Sequence, residues 1–311
     1  MAKPLAKLIS ILTPKRRWTQ FSLLTLFLIV TVLCVGLSLV VTPVERQRRA
    51  VASIEALGGA VYYVEPDHGA SEAFPKPFLR RWLPRDYFDD VRGIYPTQVT
   101  DAGLAYLQPL TGLQELNLDY TQVTDVGLAY LHGLTRLKRL SLDGTQVTDA
   151  GLAHLHGLTG LEALWLDNTR VTDAGLAHLQ GLTGLKQLLL MGTQVTDVGL
   201  AHLQGMTRLE ALSLNYTRVT DAGLAHLQGL TGLKLLLLND TQVTDVGLTH
   251  LQGLPALERL YLDRTQVTDA GLAELQELAG LRLLFLPRTQ LTDDGLAELR
   301  QALPNCRIIG R

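Results

Sequence analysis

Cysteine is almost absent, with two in 311 residues. Cys34 lies in an apolar run and Cys306 far along the chain, so they make no disulfide framework. The fold must be held by packing. Charge of one sign is also lacking. The formal net charge is −2, which argues against a nucleic-acid binder. The motifs of several common chemistries are missing too. There is no Walker loop, no G-x-G-x-x-G, no G-x-S-x-G and no H-E-x-x-H. No residue is assigned a catalytic, cofactor-binding or metal-binding role on this reading, and no enzyme is expected.

The absence of charge is most concentrated at Phe21–Val41, where FSLLTLFLIVTVLCVGLSLVV runs for 21 residues without a charged side chain. About 20 apolar residues cross a hydrocarbon core of roughly 30 Å. A cleavable signal has a shorter apolar region and a small-residue cleavage site. Ser38–Pro43 offers no such site. The expectation is one uncleaved transmembrane helix over residues 21–41, after a basic cytoplasmic segment over 1–20. Lys3, Lys7, Lys15, Arg16 and Arg17 precede the run, and Arg46, Arg48 and Arg49 follow it. That bias places the N-terminus in the cytoplasm and the rest outside, in a single-pass cell-membrane protein. Those first five cations have no acid among them, which leaves the chain from Glu45 onward at about −7.

Residues 42–96 read as a juxtamembrane helix and an N-terminal cap. Pro43–Leu57 has helical spacing, with Val51, Ile54 and Leu57 on one side, and Gly58-Gly59 stops it. Ala60–Glu65 reads as a short strand, Pro66–Pro77 as a loop and Phe78–Leu83 as a short helix. Tyr87–Tyr95 looks like a degenerate first strand whose register the sequence leaves open.

From Thr97 the chain repeats. Thr97–Tyr120 reads TQVTDAGLAYLQPLTGLQELNLDY, and the pattern returns every 24 residues through eight units and a truncated ninth that begins at Thr289. A fixed period of this length means a solenoid, because no unit can bury its own apolar face. In each unit Leu113-x-x-Leu116-x-Leu118 predicts a strand with Leu116 and Leu118 pointing inward. Thr100 is placed to cap a helix that starts at Asp101. Leu104 and Leu107 then face the core. A glycine recurs inside the helix start, as at Gly103 and Gly127, where it costs up to about 1 kcal/mol relative to alanine. Close approach between stacked turns would offset that cost.

These residues resemble the leucine-rich repeat family, L-x-x-L-x-L-x-x-N/C-x-L. The departure is at the N/C position, where Thr121 and its counterparts through Thr289 stand. The resemblance implies a Thr ladder between turns in place of an Asn ladder. The T-x-V-T-D-x-G-L version is similar to membrane-anchored repeat proteins of planctomycete bacteria. The implied fold class is α/β: a leucine-rich repeat solenoid over 97–311, a curved parallel sheet with helices on its outer side, preceded by one transmembrane helix. The implied role is binding, with no ligand specified.

His154, His178, His202, His226 and His250 occupy one position in five consecutive units. A column spaced about 5 Å apart does not converge on a metal, so the histidines read as copied surface residues. The informative positions lie on the sheet's open face. Its central column runs from Asn117 and Ser141 through Trp165, Leu189, Ser213 and Leu237 to Tyr261 and Phe285, with Tyr216 at the edge. An apolar patch on an exposed sheet is usually covered by something, and aromatic residues anchor interfaces. The expected partner is a protein or other macromolecule, held over Trp165, Tyr216, Tyr261 and Phe285. A structural envelope protein that self-associates is the rival reading. Reversed topology would instead make a cytoplasmic substrate adaptor.

Overall fold

Leu113, Leu116 and Leu118 are at most 2% exposed, and their counterparts in later units are buried likewise. This single apolar core is what a stack of repeats shares. The computed structural model describes residues 23–56, 58–64, 90–278 and 280–310. The basic segment over 1–20, the loop expected over Pro66–Pro77 and the helix expected over Phe78–Leu83 lie outside the described residues. The chain divides into two compact units, Met1–Gln47 and Arg48–Arg311.

One helix, α1, runs from Leu23 to Ala56. The membrane span expected over 21–41 is not found: among the described residues no helix is long and apolar enough to cross a membrane. The described side chains of its apolar part, Phe27 to Val35, cover less than the roughly 20 residues a span needs. They are exposed. In the second unit the end of α1 buries Ala50, Val51 and Ile54. Gly58, with φ +74, closes the helix, and Gly58 and Gly59 donate to the carbonyls of Glu55 and Ile54.

The strands that follow are β1 (Ala60–Val64), β2 (Asp90–Tyr95), β3 (Glu115–Asn117), β4 (Arg139–Ser141), β5 (Ala163–Trp165) and β6 (Gln187–Leu189). Then come β7 (Ala211–Ser213), β8 (Leu235–Leu237), β9 (Arg259–Tyr261), β10 (Leu283–Phe285) and β11 (Arg307–Ile309). Among the described residues they form one eleven-stranded sheet in chain order. Only β1 is antiparallel to its neighbour. The antiparallel pair β1 and β2 covers the first repeat, with Val91 and Ile94 buried. The ninth repeat carries its strand, β11, in register with β10.

Each of the strands β3 to β10 leads to a residue in the left-handed region. Tyr120, Asn168, Tyr216, Asp240, Arg264 and Arg288 have φ from 53 to 56, and Gly144 and Gly192 occupy the same place. Next stands the threonine of the N/C position. Its hydroxyl does not reach a neighbouring turn, as the family resemblance had implied. Thr121 Oγ1 donates 2.6 Å to Leu118 O in its own unit, and Thr145 to Leu142 O at 2.7 Å. Threonine's side chain is one atom shorter than asparagine's, and the carbonyl three residues back is the acceptor within reach.

A link between turns is made instead by the aspartate of T-D-x-G. Asp101 Oδ1 accepts from Thr124 N at 2.8 Å and Oδ2 from Thr124 Oγ1 at 2.7 Å. The pair returns at Asp173 with Thr196 and at Asp245 with Thr268. Thr124 Oγ1 in turn accepts from Val126 N at 3.3 Å, so one hydroxyl caps its helix and binds the previous turn. Thr100, which begins the series, makes no such cap bond. The recurring glycine now has its reason. A Cβ on Gly127 would collide with the Asp101 carboxylate and meet Leu104 Cδ1 at 2.9 Å.

Candidate binding face

Four columns of side chains cross the open face of the sheet. The first, at the turn into each strand, alternates in sign: Lys138, Glu162, Lys186, Glu210, Lys234, Glu258. Lys186 Nζ lies 2.7 Å from Glu162 and Lys234 Nζ 2.8 Å from Glu210. These bridges hold Glu162 and Glu210 below the usual carboxylate range, through the hydrogen bond from each lysine.

The second column opens with Glu115, Arg139 and Ala163, in register. Arg139 Nη2 is 2.5 Å from Glu115, and Arg92 Nε lies 3.5 Å from the same carboxylate. The Arg139 guanidinium lowers the Glu115 pKa, and Tyr95 Oη donates to Glu115 at 3.1 Å.

The third column is the central one. Trp165, Leu189, Ser213, Leu237, Tyr261 and Phe285 follow one another in register, and Ile309 extends the line on β11. Ser213 is buried at 2% exposure, and the larger side chains are half-buried. The rings of Tyr261 and Phe285 stand 5.4 Å apart.

The fourth column is a ladder of side-chain acceptors. Asp119 Oδ1 accepts from Asp143 N at 3.0 Å, Asp143 Oδ1 from Asp167 N at 2.8 Å, and Asp167 Oδ1 from Met191 N at 2.7 Å. Asn215 and Asn239 do the same for the next units at 2.7 and 2.8 Å. Burial raises the Asp143 pKa to about 6, with Asp167 and Asp119 adding to the effect. Burial raises Asp167 as well.

The asparagines show that the ladder needs an amide-compatible oxygen and no charge, which makes Asp143→Asn an informative change. The Asp143 pKa is raised in the folded chain, so the unfolded chain ionises first as pH rises. Stability therefore falls between about pH 4 and 6 through this group and is level above. Asp143→Asn is expected to keep the bond to Asp167 and to add about 1 kcal/mol at pH 7, after a discount for partial exposure. Thermal melts at pH 5 and pH 7 should show a smaller difference for the variant than for the parent. An equal difference would show that Asp143 is not the sensitive group.

A Leucine Rich repeat family profile matches residues 111–131. That stretch spans about one unit of the repeat. The chain is similar to internalin C2 of Listeria monocytogenes at 29% identity, over 73% of this chain and 87% of that one, with a TM-score of 0.52. It is also similar to another internalin (inlF) of that organism at 25% identity, over 66% of this chain and 75% of that one, with a TM-score of 0.41. No curated protein matches the chain.

The sequence-predicted anchors of this face do not form one cluster. Tyr261 and Phe285 are in contact. Trp165 is four strands away from Tyr261, about 19 Å at ordinary strand spacing. Tyr216 is exposed, in the left-handed turn position at the edge of the face. Sequence reasoning missed Tyr95, which lines a small hollow with Asn117, Ser141 and Trp165. Ile94 pairs with Leu116 at a separation of 22 residues, against 24 between Leu116 and Leu140. That slip of two hides the register of β2. Ile309 was missed as well, although it keeps the 24-residue period with Phe285, and that period is the signal for it.

On the outer side three histidines of the column contact a glutamine of the preceding turn. Gln180 Nε2 lies 2.9 Å from His202 Nδ1, and Gln204 Nε2 lies 3.0 Å from His226 Nδ1. Gln252 makes the same link to Glu274 at 2.6 Å. The link is made at His202, His226, His250, Glu274 and Glu298; before His154 and His178 stand His132 and His156, whose Nδ1 atoms contact Ala129 O and Ala153 O of their own turns. Among the described residues no group of three or more potential ligands could hold a metal ion.

Proposed function

We propose that this protein is a membrane-anchored binding scaffold whose repeats lie outside the cytoplasmic membrane and hold another protein on the sheet face. The observation that carries the reading is the line of large apolar side chains from Trp165 to Ile309, half-buried, in register on the open face and interrupted only by Ser213. Nothing in the core packing requires large side chains there. Leu188, Leu212 and Leu236 fill the core from the opposite side of the same strands. The leucine-rich repeat fold itself favours protein–protein binding.

The anchor rests on the uncharged run over 21–41 and on the exposed Phe27, Leu28, Val30, Val32 and Val35 of α1, which call for an apolar cover. The resemblance of T-x-V-T-D-x-G-L to anchored planctomycete repeats supports the same reading. The orientation rests on the basic residues before Phe21.

One variant and one fusion test this. The full-length chain carrying Trp165→Ala, Tyr261→Ala and Phe285→Ala should lose at least about tenfold in affinity for a partner captured by the parent protein. Its melting temperature should hold. Unchanged affinity would move the docking site off this face. Capture of a second copy would make the protein a self-associating envelope component. Alkaline phosphatase fused after Arg311 should be active, and an inactive fusion would reverse the topology.

A further inference from the structure

The face changes character at its first units. A hollow of about 360 Å³ opens there beside Trp165. Its cause is Ala163, a methyl group standing in register between Arg139 and Gln187. Around it are four cations, Arg92, Lys138, Arg139 and Lys186, against two carboxylates, Glu115 and Glu162. Each carboxylate serves two cations: Glu115 takes Arg92 and Arg139, and Glu162 takes Lys138 at 3.9 Å and Lys186. The hollow is left with two uncompensated positive charges, in a chain otherwise negative from Glu45 onward. All four cations are exposed enough to turn toward a ligand. The wall supplies one more donor. Trp165 Nε1 is buried and has no hydrogen-bond partner. Leaving such a donor unmade is costly, and a small turn of the ring would offer it to an entering oxygen.

Resting on the sheet-face reading above, we propose that this hollow receives an acidic peptide segment of the partner, two or more closely spaced Asp or Glu side chains, while the apolar line beyond Trp165 holds the partner's apolar part. A long polyanion is disfavoured on the same face. It would meet the stacked carboxylates of Asp119, Asp143 and Asp167, one column beyond the indole. A short acidic segment reaches the cations without crossing them. Such charge complementarity chiefly sets orientation and association rate.

Fluorescein-labelled hexaglutamate, titrated into the full-length chain in detergent at low salt, is expected to bind. Lys138→Gln with Lys186→Gln removes the excess charge and should weaken binding about tenfold. Folding should survive, because exposed ion pairs contribute little. Lys234→Gln loses an equivalent pair outside the hollow and should bind as the parent does. Absence of binding to the parent chain would overturn the proposal. So would equal binding by the double variant. Tighter binding of oligothymidylate or heparin than of hexaglutamate would overturn it in favour of a polyanion. The aromatic triple variant reports on the sheet-face reading separately, since partner capture can fail or persist whatever hexaglutamate does.

Discussion

Leu188→Asp is expected to collapse the middle of the solenoid, and Leu189→Asp, one residue along, to leave it standing. Leu188 is fully buried in β6, in register with Leu164 and Leu212. An aspartate there must give up leucine packing and bury a carboxyl group without a partner. Together these cost on the order of 5 kcal/mol or more even if the carboxyl is neutral. In a solenoid that loss is felt twice, because stability is close to a sum over interfaces between adjacent repeats and the sixth strand serves two of them. Leu189 lies on the open face, half-buried between Trp165 and Ser213. Its replacement loses part of one apolar contact, about 1 kcal/mol. Thermal melts followed by circular dichroism decide the matter. Equal melting temperatures would mean that the strand register is wrong, and a lower one for Leu189→Asp that its two faces are exchanged.

That contrast was legible in the sequence because side chains alternate along a strand and the repeat fixes the period. Leu116 and Leu118 therefore pointed to the core at once. Less was legible where the argument needed partners a full turn away. Asp101 read as a helix-start charge, but its carboxylate is spent on Thr124, 23 residues on. Thr121 read as a link between turns, whereas its hydroxyl stays in its own unit. His202 read as a copied surface residue, and the structure gives it Gln180 as neighbour. Of the binding face, the aromatic line was visible and the charged hollow was not. The hollow depends on a small residue, Ala163, falling beside two long ones, and each of these looks ordinary in its own repeat. Tyr95 was hidden by the shorter spacing of the first turn.

The recurring glycine yields a prediction whose sign separates the two levels of reasoning. By helix propensity alone, Gly199→Ala should stabilise, by up to about 1 kcal/mol. The structure requires the opposite. A Cβ on Gly199 would overlap the Asp173 carboxylate, meet Asp173 Cα at 3.1 Å and meet Leu176 Cδ1 at 3.1 Å. The leucine methyl can shift, but the carboxylate cannot move without leaving Thr196. There it accepts from the backbone N–H at 2.7 Å and from the hydroxyl at 2.6 Å. Hydrogen bonds to a charged acceptor contribute about 1.5–3 kcal/mol each, so losing this pair outweighs the gain in propensity. Gly199→Ala is expected to destabilise by about 2–4 kcal/mol. A double-mutant cycle identifies the cause. With Asp173→Ala already in place the overlap with the carboxylate is gone, and adding Gly199→Ala should cost at least about 1 kcal/mol less than it does in the parent. If the glycine served only to bend the helix start, its replacement would cost the same with or without Asp173. If Gly199→Ala raised the melting temperature, the glycine would be a relic of repeat copying, and the bond between Asp173 and Thr196 would not be what joins one repeat to the next.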